Sequence, residues 1–271
     1  MPATAAALTT ARLRPGVAVA RRDDGHLQVG LDAPLRLVVP DGSVARVLLR
    51  RLADGIATAP TDAEGAALWR SLEAAGLLVD PEAPPALALV HGRDAVRRSR
   101  ARSAARVHLD GVAASVRGAS RLVAAAGLAL ATSSGASDVT LVLGAGPVRR
   151  RRVDALVREG RPHLVVEPGP LGWAVGPFVV PGSTACLRCV DAARTERDPR
   201  RPVVLDQMDD IVVPPEPVGE TLATAWAVRD LAAWADGDEP GTWSATVTFG
   251  PSGPPRRAEW RRHPHCGCSW G

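Results

Sequence analysis

The chain has 271 residues, of which 46% are hydrophobic and 23% charged, and its formal net charge is +4. This composition is typical of a globular protein, and no run approaches the ~20 consecutive apolar residues that a membrane helix needs. The N-terminal stretch lacks a basic region followed by an apolar core. We therefore expect neither a membrane span nor a signal peptide, and a cytoplasmic protein.

The basic residues are all arginine, because the sequence contains no lysine. Clusters at 97–102 and 149–152 carry no aromatic side chains between their charges. Nucleic-acid grooves combine cations with stacking aromatic rings. We interpret both clusters as solvated surface rather than a phosphate-binding patch, and we expect no nucleic-acid partner.

The first block, residues 1–80, predicts a small α+β domain. Turn sequences separate three short apolar or alternating segments, which favours three strands. Two helix patterns follow, one with Ser43 as its cap and Gly55 as its stop, the other opening on a capping box at 61–64 and ending at Gly76. The strands are expected at 17–21, 27–31 and 35–39. The proline-rich stretch 81–86 is predicted to be a linker.

The second block, residues 87–271, alternates strand and helix patterns. This alternation predicts a Rossmann-like α/β domain with a mostly parallel sheet. Strands are expected at 86–90, 106–110, 128–130, 138–143, 163–167 and 242–249, and helices at 112–126, 148–159 and 219–236.

The four cysteines form two close pairs that lie far apart in sequence, Cys186 with Cys189 and Cys266 with Cys268. Two such pairs can present four thiolates to one tetrahedral zinc, and the glycine within the second pair permits a tight turn. We predict one structural zinc. The alternatives left open are a redox role, unliganded thiols, and replacement of one cysteine by His263 or His265.

A zinc ion held by four thiolates has no open position for a catalytic water and leaves no free nucleophilic cysteine. The remaining histidines and carboxylates show no persuasive triad or paired-acid spacing. We therefore assign no catalytic residue from the sequence.

The stretch GPFVVPGSTACLRCVDAARTERDP at 176–199, followed by a long helix, a strand and HPHCGC, resembles the ThiF/MoeB-like superfamily that includes ubiquitin-activating enzymes. The resemblance covers residues 86–271. Its nearest form is the short actinobacterial type grouped with thiazole/oxazole-modified microcin biosynthesis. It implies a Rossmann-like domain that adenylates the C-terminal carboxylate of a peptide or small protein, with a paired-cysteine zinc knuckle late in the domain.

The first block is similar to the winged-helix peptide-recognition element of the same pathways, where a leader peptide adds as a strand to a sheet edge. This resemblance implies a RiPP recognition element with an exposed edge and a neighbouring helix. An alternative role for the same apolar residues is the domain core. The candidate peptide-binding residues are Leu35, Leu37, Val39, Leu68 and Leu72.

The segments that would handle ATP in that superfamily are altered here. Phosphate binding uses a glycine-rich turn after the first strand, and only Gly111 matches it. Gly144-Ala145-Gly146-Pro147 is the only other GxG, and we interpret it as a strand-to-helix turn. These departures argue against ATP and favour a degenerate domain.

The sequence thus predicts a non-catalytic, zinc-stabilised scaffold that binds a peptide or protein segment. It predicts a homodimer or a partner enzyme subunit as possible assemblies. Two alternatives remain: a divergent adenylyltransferase completed by a partner chain, and a winged-helix DNA-binding regulator.

Overall fold

The computed structural model describes residues 8–169, 171–208, 211–214 and 216–268. The chain divides into two compact units, Met1–Arg100 and Ala101–Gly271. The domain limits expected from the sequence, with a break at 81–86, stay a prediction.

Within its described residues, the first unit contains two small antiparallel sheets and three complete α-helices. The strands are β1 (Thr10–Leu13), β2 (Val19–Arg21), β3 (His26–Val29), β4 (Leu37–Pro40), β5 (Ala57–Thr58) and β6 (Leu78–Val79). The helices are α1 (Ser43–Asp54), α2 (Ala63–Ala74) and α3 (Pro85–His91). One sheet has the order β2-β3-β4 and the other β5-β1-β6, so the unit is α+β. The winged-helix description of it stays a prediction.

The helix starts in this unit differ from one another. Helix α2 begins within the predicted segment 61–64, but its cap is Asp62, whose carboxylate accepts the Gly65 N–H at 2.8 Å, rather than the Thr61 of a capping box. Helix α1 instead has Gly42 at its cap position, and no side chain caps it. The prediction of Ser43 as the cap was therefore wrong, and Ser43 is the first helical residue.

Residues 86–90 were expected to form a strand, and this expectation was wrong. They lie in α3, which Pro84 and Pro85 open and Gly92 ends. Proline suits the first turn of a helix, because the N–H it lacks would have no partner there. A short apolar run does not by itself distinguish a strand from a buried helix.

The second unit alternates strands with helices and then adds antiparallel strands. Its strands are β7 (Arg106–Asp110), β8 (Ala129–Leu130), β9 (Val139–Leu143), β10 (His163–Gly169), β11 (Gly172–Val179), β12 (Ala245–Phe249) and β13 (Arg256–Glu259). Its helices are α5 (Ala113–Ala125), α6 (Arg150–Arg158), α7 (Leu187–Thr195), α8 (Arg201–Asp206) and α9 (Pro217–Asp236). Helix α4 (Ala95–Ala104) contains the point at which the two units divide.

One seven-stranded sheet in the order β13-β12-β11-β10-β9-β7-β8 organises this unit. Strands β8, β7, β9 and β10 are parallel to one another, and β11, β12 and β13 extend the sheet from β10 in antiparallel fashion. The sheet is therefore mixed, and its parallel half is the α/β arrangement that the sequence predicts. Among the described residues, none of the helices combines the length and apolarity needed to cross a bilayer.

The central strands of the sheet are buried on both faces, whereas the edge strand β13 is exposed. Every residue of β9 is buried, as expected for a central strand covered on either side. Leu141 and Leu143 pack with α5 and α9 on one face, whereas Val142 packs with α6 and α7 on the other. This layering fixes the strand ends and helix starts around which the candidate sites lie.

Candidate metal centre

The structure brings the four cysteines together. Their sulfurs all lie within 4.8 Å of one another. Cys186 Sγ is 3.8 Å from Cys189 Sγ and 3.4 Å from Cys266 Sγ, and Cys189 Sγ is 3.4 Å from Cys268 Sγ. A tetrahedral zinc with bonds of about 2.3 Å would separate its sulfurs by about 3.8 Å. The arrangement matches that tetrahedron, and none of the four cysteines is in a disulfide.

The first pair is held by the start of α7. Cys186 is the cap residue of that helix and Cys189 lies in its first turn. Two ion pairs tie α7 to α6: Arg150 Nε lies 2.5 Å from Asp191 Oδ2, and Arg188 Nη2 lies 2.8 Å from Asp154 Oδ2. The position of the CxxC segment is therefore set by the packing of two helices.

The second pair arrives through the C-terminal strand. After β13, the Trp260 N–H donates to Ser244 O at 2.8 Å and its indole N–H donates to Thr246 Oγ1 at 3.0 Å. The Cys268 N–H donates to Cys266 O at 2.8 Å, around Gly267 with φ of 68°. This three-residue turn requires the left-handed region that glycine adopts without strain.

The thiol chemistry suits a cation. Burial raises the pKa of Cys266 to about 12, while the hydrogen bonds from Cys186 and from the backbone N–H of His263 lower the pKa of Cys189 to about 4. The contact with Cys189 and burial raise the pKa of Cys186. Four thiols this close cannot all ionise unless a positive charge offsets their repulsion, and Zn²⁺ supplies it. The donor set therefore fits zinc.

The two neighbouring histidines lie beside the sulfurs and make other contacts. The His263 N–H donates to Cys189 Sγ at 3.3 Å, and its ring Nε2 lies 3.0 Å from Glu196 Oε1. The His265 ring packs 5.6 Å from the His263 ring, centroid to centroid. In the described part of the chain, the group of close metal donors consists of the four cysteines.

The candidate peptide-binding residues lie around one strand and one helix of the first unit. Leu37 and Val39 are in β4, an edge strand, and Leu35 precedes it with Cδ2 facing Gly76 just after α2. Val39 and Leu72 are buried core residues, whereas Leu35, Leu37 and Leu68 are partly buried. Their contact with a peptide stays a prediction.

The carboxyl edge of the parallel strands is filled by the chain itself. Asp110, at the end of β7, accepts a hydrogen bond of 2.6 Å from Arg152 Nε. A Cβ at Gly111 would lie 2.7 Å from Leu143 Cβ, and one at Gly146 would lie 1.9 Å from Ile211 O. The Val213 N–H donates to Ala145 O at 2.8 Å. Segment 211–213 therefore lies directly on the Gly144–Gly146 loop.

Neither arginine cluster is wholly solvated surface, which corrects the interpretation made from the sequence. In the cluster at 97–102, Arg102 is buried and its Nη2 lies 2.7 Å from Asp236 Oδ2. Arg150 is only 7% exposed and is bound to Asp191. A signal for this burial is present in the sequence. Residues at a spacing of three lie on one helix face, and the buried face of α6 carries Arg150, Val153 and Leu156. Arg152 is engaged by Asp110.

No protein-family model matches this chain, and no curated protein matches it in sequence. Among solved structures, the heterocyclase TruD superposes with a TM-score of 0.73 at 18% identity, over 97% of this chain and 43% of that chain. Escherichia coli MccB with ATP superposes with a TM-score of 0.63 at 12% identity, over 96% of this chain and 99% of that chain. The microcin C7 biosynthetic enzyme MccB in complex with N-formylated MccA gives 0.61 at 13% identity, with the same coverage.

These similarities place the chain in one fold class with a heterocyclase and with MccB. The chain spans less than half the length of TruD and nearly the whole length of MccB. At these identities the likeness shows the fold, in which a small α+β unit precedes a Rossmann-like domain.

Proposed function

We propose that this chain is a non-catalytic, zinc-stabilised peptide-binding protein of the ThiF/MoeB-like type found in ribosomal-peptide modification. The free edge of β4 carries the proposal. Among the described residues, that strand has β3 as its one partner in the sheet, so its outer side can pair with an added strand. MccB is known in complex with N-formylated MccA, which supports a partner of this kind.

The backbone of Val38 is the pairing group. The Asp41 N–H donates to Gly25 O at 2.8 Å, which makes these opposed residues a hydrogen-bonded pair. Antiparallel pairs alternate, so Val39 and Leu37 face β3 and the N–H and C=O of Val38 point away from it. The Val38 side chain is 39% exposed. A peptide strand would gain the backbone bonds of Val38 and contact its side chain.

Side-chain recognition then comes from the partly buried leucines. Leu35 and Leu37 flank the edge, and Leu68 lies on α2 near the same core. Val39 and Leu72 support the strand from beneath, since their side chains are buried. In this arrangement the backbone supplies affinity and the leucines supply selectivity.

Under this proposal the protein does not bind ATP, because the chain itself fills the carboxyl edge of the parallel strands, where the phosphates would bind. Phosphates need free backbone N–H groups at a glycine-rich turn. Here Asp110 is engaged by Arg152, and segment 211–213 lies against Gly146. Zinc, bound by Cys186, Cys189, Cys266 and Cys268, would supply structural stability by joining the C-terminal segment to α7.

The test is fluorescence anisotropy with labelled 20-residue peptides tiled across the short open reading frames beside the gene. Val38→Pro removes the outward N–H, and proline is tolerated on an edge where no ladder bond is lost. We expect at least about tenfold weaker binding by this variant. Val19→Pro is the matched control, because its N–H points away from β3 on the opposite edge strand β2. Failure of every peptide to bind, or equal loss in both variants, would overturn the proposal.

A second candidate is a divergent adenylyltransferase, favoured by the superposition on the ATP-bound form of MccB over 99% of that chain. It predicts micromolar binding of ATP with Mg²⁺ and peptide-dependent pyrophosphate exchange. Calorimetry with ATP and Mg²⁺ separates the candidates, because the scaffold proposal predicts no heat of binding.

A further inference from the structure

A cavity of about 440 Å³ lies within the second unit, apart from both sites above. Its floor includes Ala174 of β11 and Thr248 of β12, and α7 and α8 form one wall. None of the cysteines lines it, nor do Asp110, Gly111 or Gly144. Its size is that of a small-molecule site.

Two arginines in the cavity wall have no carboxylate partner among the described residues. Arg194 of α7 makes no ion pair there, and its guanidinium Cζ lies 5.1 Å from the Trp260 ring centroid. Arg201 of α8 has a buried Nε with no hydrogen-bond acceptor. A buried guanidinium N–H without an acceptor is costly, so an acceptor supplied by a ligand would be stabilising.

Arg194 and Arg201 line the same cavity. Burial, and next the positive charge of Arg201, lower the pKa of Arg194. Like charges held close together in a partly buried wall repel, and an anion between them removes that repulsion. Two guanidinium groups also offer the forked donors that carboxylates accept.

The acidic groups of the cavity are already engaged. Glu167 Oε2 accepts the Val148 N–H at 2.7 Å and lies 4.0 Å from Arg150 Nη1. Asp198 is exposed, and its Oδ1 accepts the Arg200 N–H at 3.1 Å. Arg150 itself is bound to Asp191. Arg194 and Arg201 therefore remain as the cations open to a ligand.

The rest of the wall is apolar and partly uncovered. It includes Leu171, Val204, Leu205 and Met208, and Leu171 and Val204 are 77% and 51% exposed. A free phosphate would bind the two arginines but leave the apolar part of the wall exposed to water. An organic acid would bind the arginines through its carboxylate and bury the apolar wall with its apolar body.

We propose that this cavity binds a small organic acid, with the carboxylate held by Arg194 and Arg201 and the apolar body against Leu171, Val204 and Met208. The site lies in the second unit and uses none of the residues proposed to bind peptide. A failure of the acid-binding proposal would therefore not contradict peptide binding at β4, and a failure of peptide binding would not contradict acid binding.

Calorimetry with three probes tests the site: N-acetyl-leucine, its amide N-acetyl-leucinamide, and inorganic phosphate at equal ionic strength. We expect the acid to bind with a Kd of about 1 mM or tighter. The amide and phosphate should each bind about tenfold or more weakly, because one lacks the charge and the other the apolar body. Equal binding of acid and amide, or of acid and phosphate, would contradict the proposal.

Variants locate the binding. Arg194→Gln and Arg201→Gln should each weaken N-acetyl-leucine binding about tenfold or more, whereas Arg197→Gln, an equal loss of charge on an exposed residue outside the cavity, should not.

Asp209 and Asp210 follow Met208 in sequence and lie outside the described residues. If acid binds only after Asp209→Asn and Asp210→Asn are made together, the chain's own carboxylates occupy the site and the proposal fails.

Discussion

The four cysteine sulfurs are placed by residues that hold the backbone rather than by one another. Gly267 allows the tight turn in the CxC pair, and the His263 N–H donates to Cys189 Sγ. The first feature sets the backbone path between Cys266 and Cys268, and the second fixes the Cys189 sulfur against the segment that carries the second pair. Metal binding should require each of the four sulfurs, since a tetrahedral ion needs all four donors.

Replacing one thiol should remove the metal. We expect Cys266→Ser to lower the zinc content from about one ion per chain to a small fraction, and to destabilise the fold, because structural zinc contributes on the order of 10 kcal/mol. Metal analysis by mass spectrometry and thermal unfolding measure both effects. His265→Gln is the control and should retain zinc. Zinc loss in the control variant would indicate a histidine ligand.

His163 should make stability depend on pH. It is fully buried at the start of β10, and burial lowers its pKa below the usual 6.5, against a raising contribution from the Arg161 carbonyl. The unfolded chain therefore takes up this proton at a higher pH than the folded protein does. The free energy of unfolding attributable to His163 is fully present above about pH 6.5 and falls as the pH decreases.

Urea unfolding at pH 7.5, 6.5 and 5.5 tests this dependence. His163→Gln should show a smaller decrease in stability over that range than the unmodified chain. Parallel slopes for the unmodified chain and His163→Gln would refute the assignment.

At the scale of elements, the turn into α5 depends on close approach to β9. Gly111 lies where a Cβ would be 2.7 Å from Leu143 Cβ and 2.9 Å from Leu143 O. In the sequence this glycine resembles one position of a phosphate-binding turn, whereas in the structure it permits packing of backbone against the neighbouring strand. The same residue type can therefore serve packing where its resemblance suggests a ligand.

Two glycine substitutions separate packing from helix propensity. Gly111→Ala should cost about 1–3 kcal/mol, because the methyl group collides with Leu143. Gly118→Ala, inside α5 with nothing within 4 Å of the added Cβ, should gain about 0.5–1 kcal/mol. Denaturant unfolding followed by tryptophan fluorescence measures both. A neutral Gly111→Ala would mean that the two strand ends can separate freely.

At the scale of the whole molecule, each unit has its own core. One buried cluster lies within residues 11–78 and another within residues 107–249. The cysteine cluster belongs to the second unit. A metal that stabilises only that unit should affect the two units unequally.

Chelation should therefore act on one unit. We expect a strong zinc chelator to increase hydrogen exchange in α7 and in residues 260–268, while the amides of α1 and α2 keep their protection. Exchange followed by mass spectrometry on the full chain measures this, with the same chelator saturated beforehand with Zn²⁺ as the comparison. Equal loss of protection in α1 would show that the first unit depends on the metal.

The sequence by itself determined the features that are local or depend on residue type: the β2, β3, β4 and β9 segments, the helices α2, α5, α6 and α9, and the cysteine donors. These follow from periodicity, turn residues and ligand chemistry, all readable over a few positions. Tertiary structure decided the burial of Arg150, the placement of segment 211–213 on the Gly144–Gly146 loop, and the cavity with Arg194 and Arg201. Each of these features depends on contacts between residues that are far apart in the sequence. A local sequence pattern cannot predict such a contact, because one of its residues belongs to a distant strand or helix.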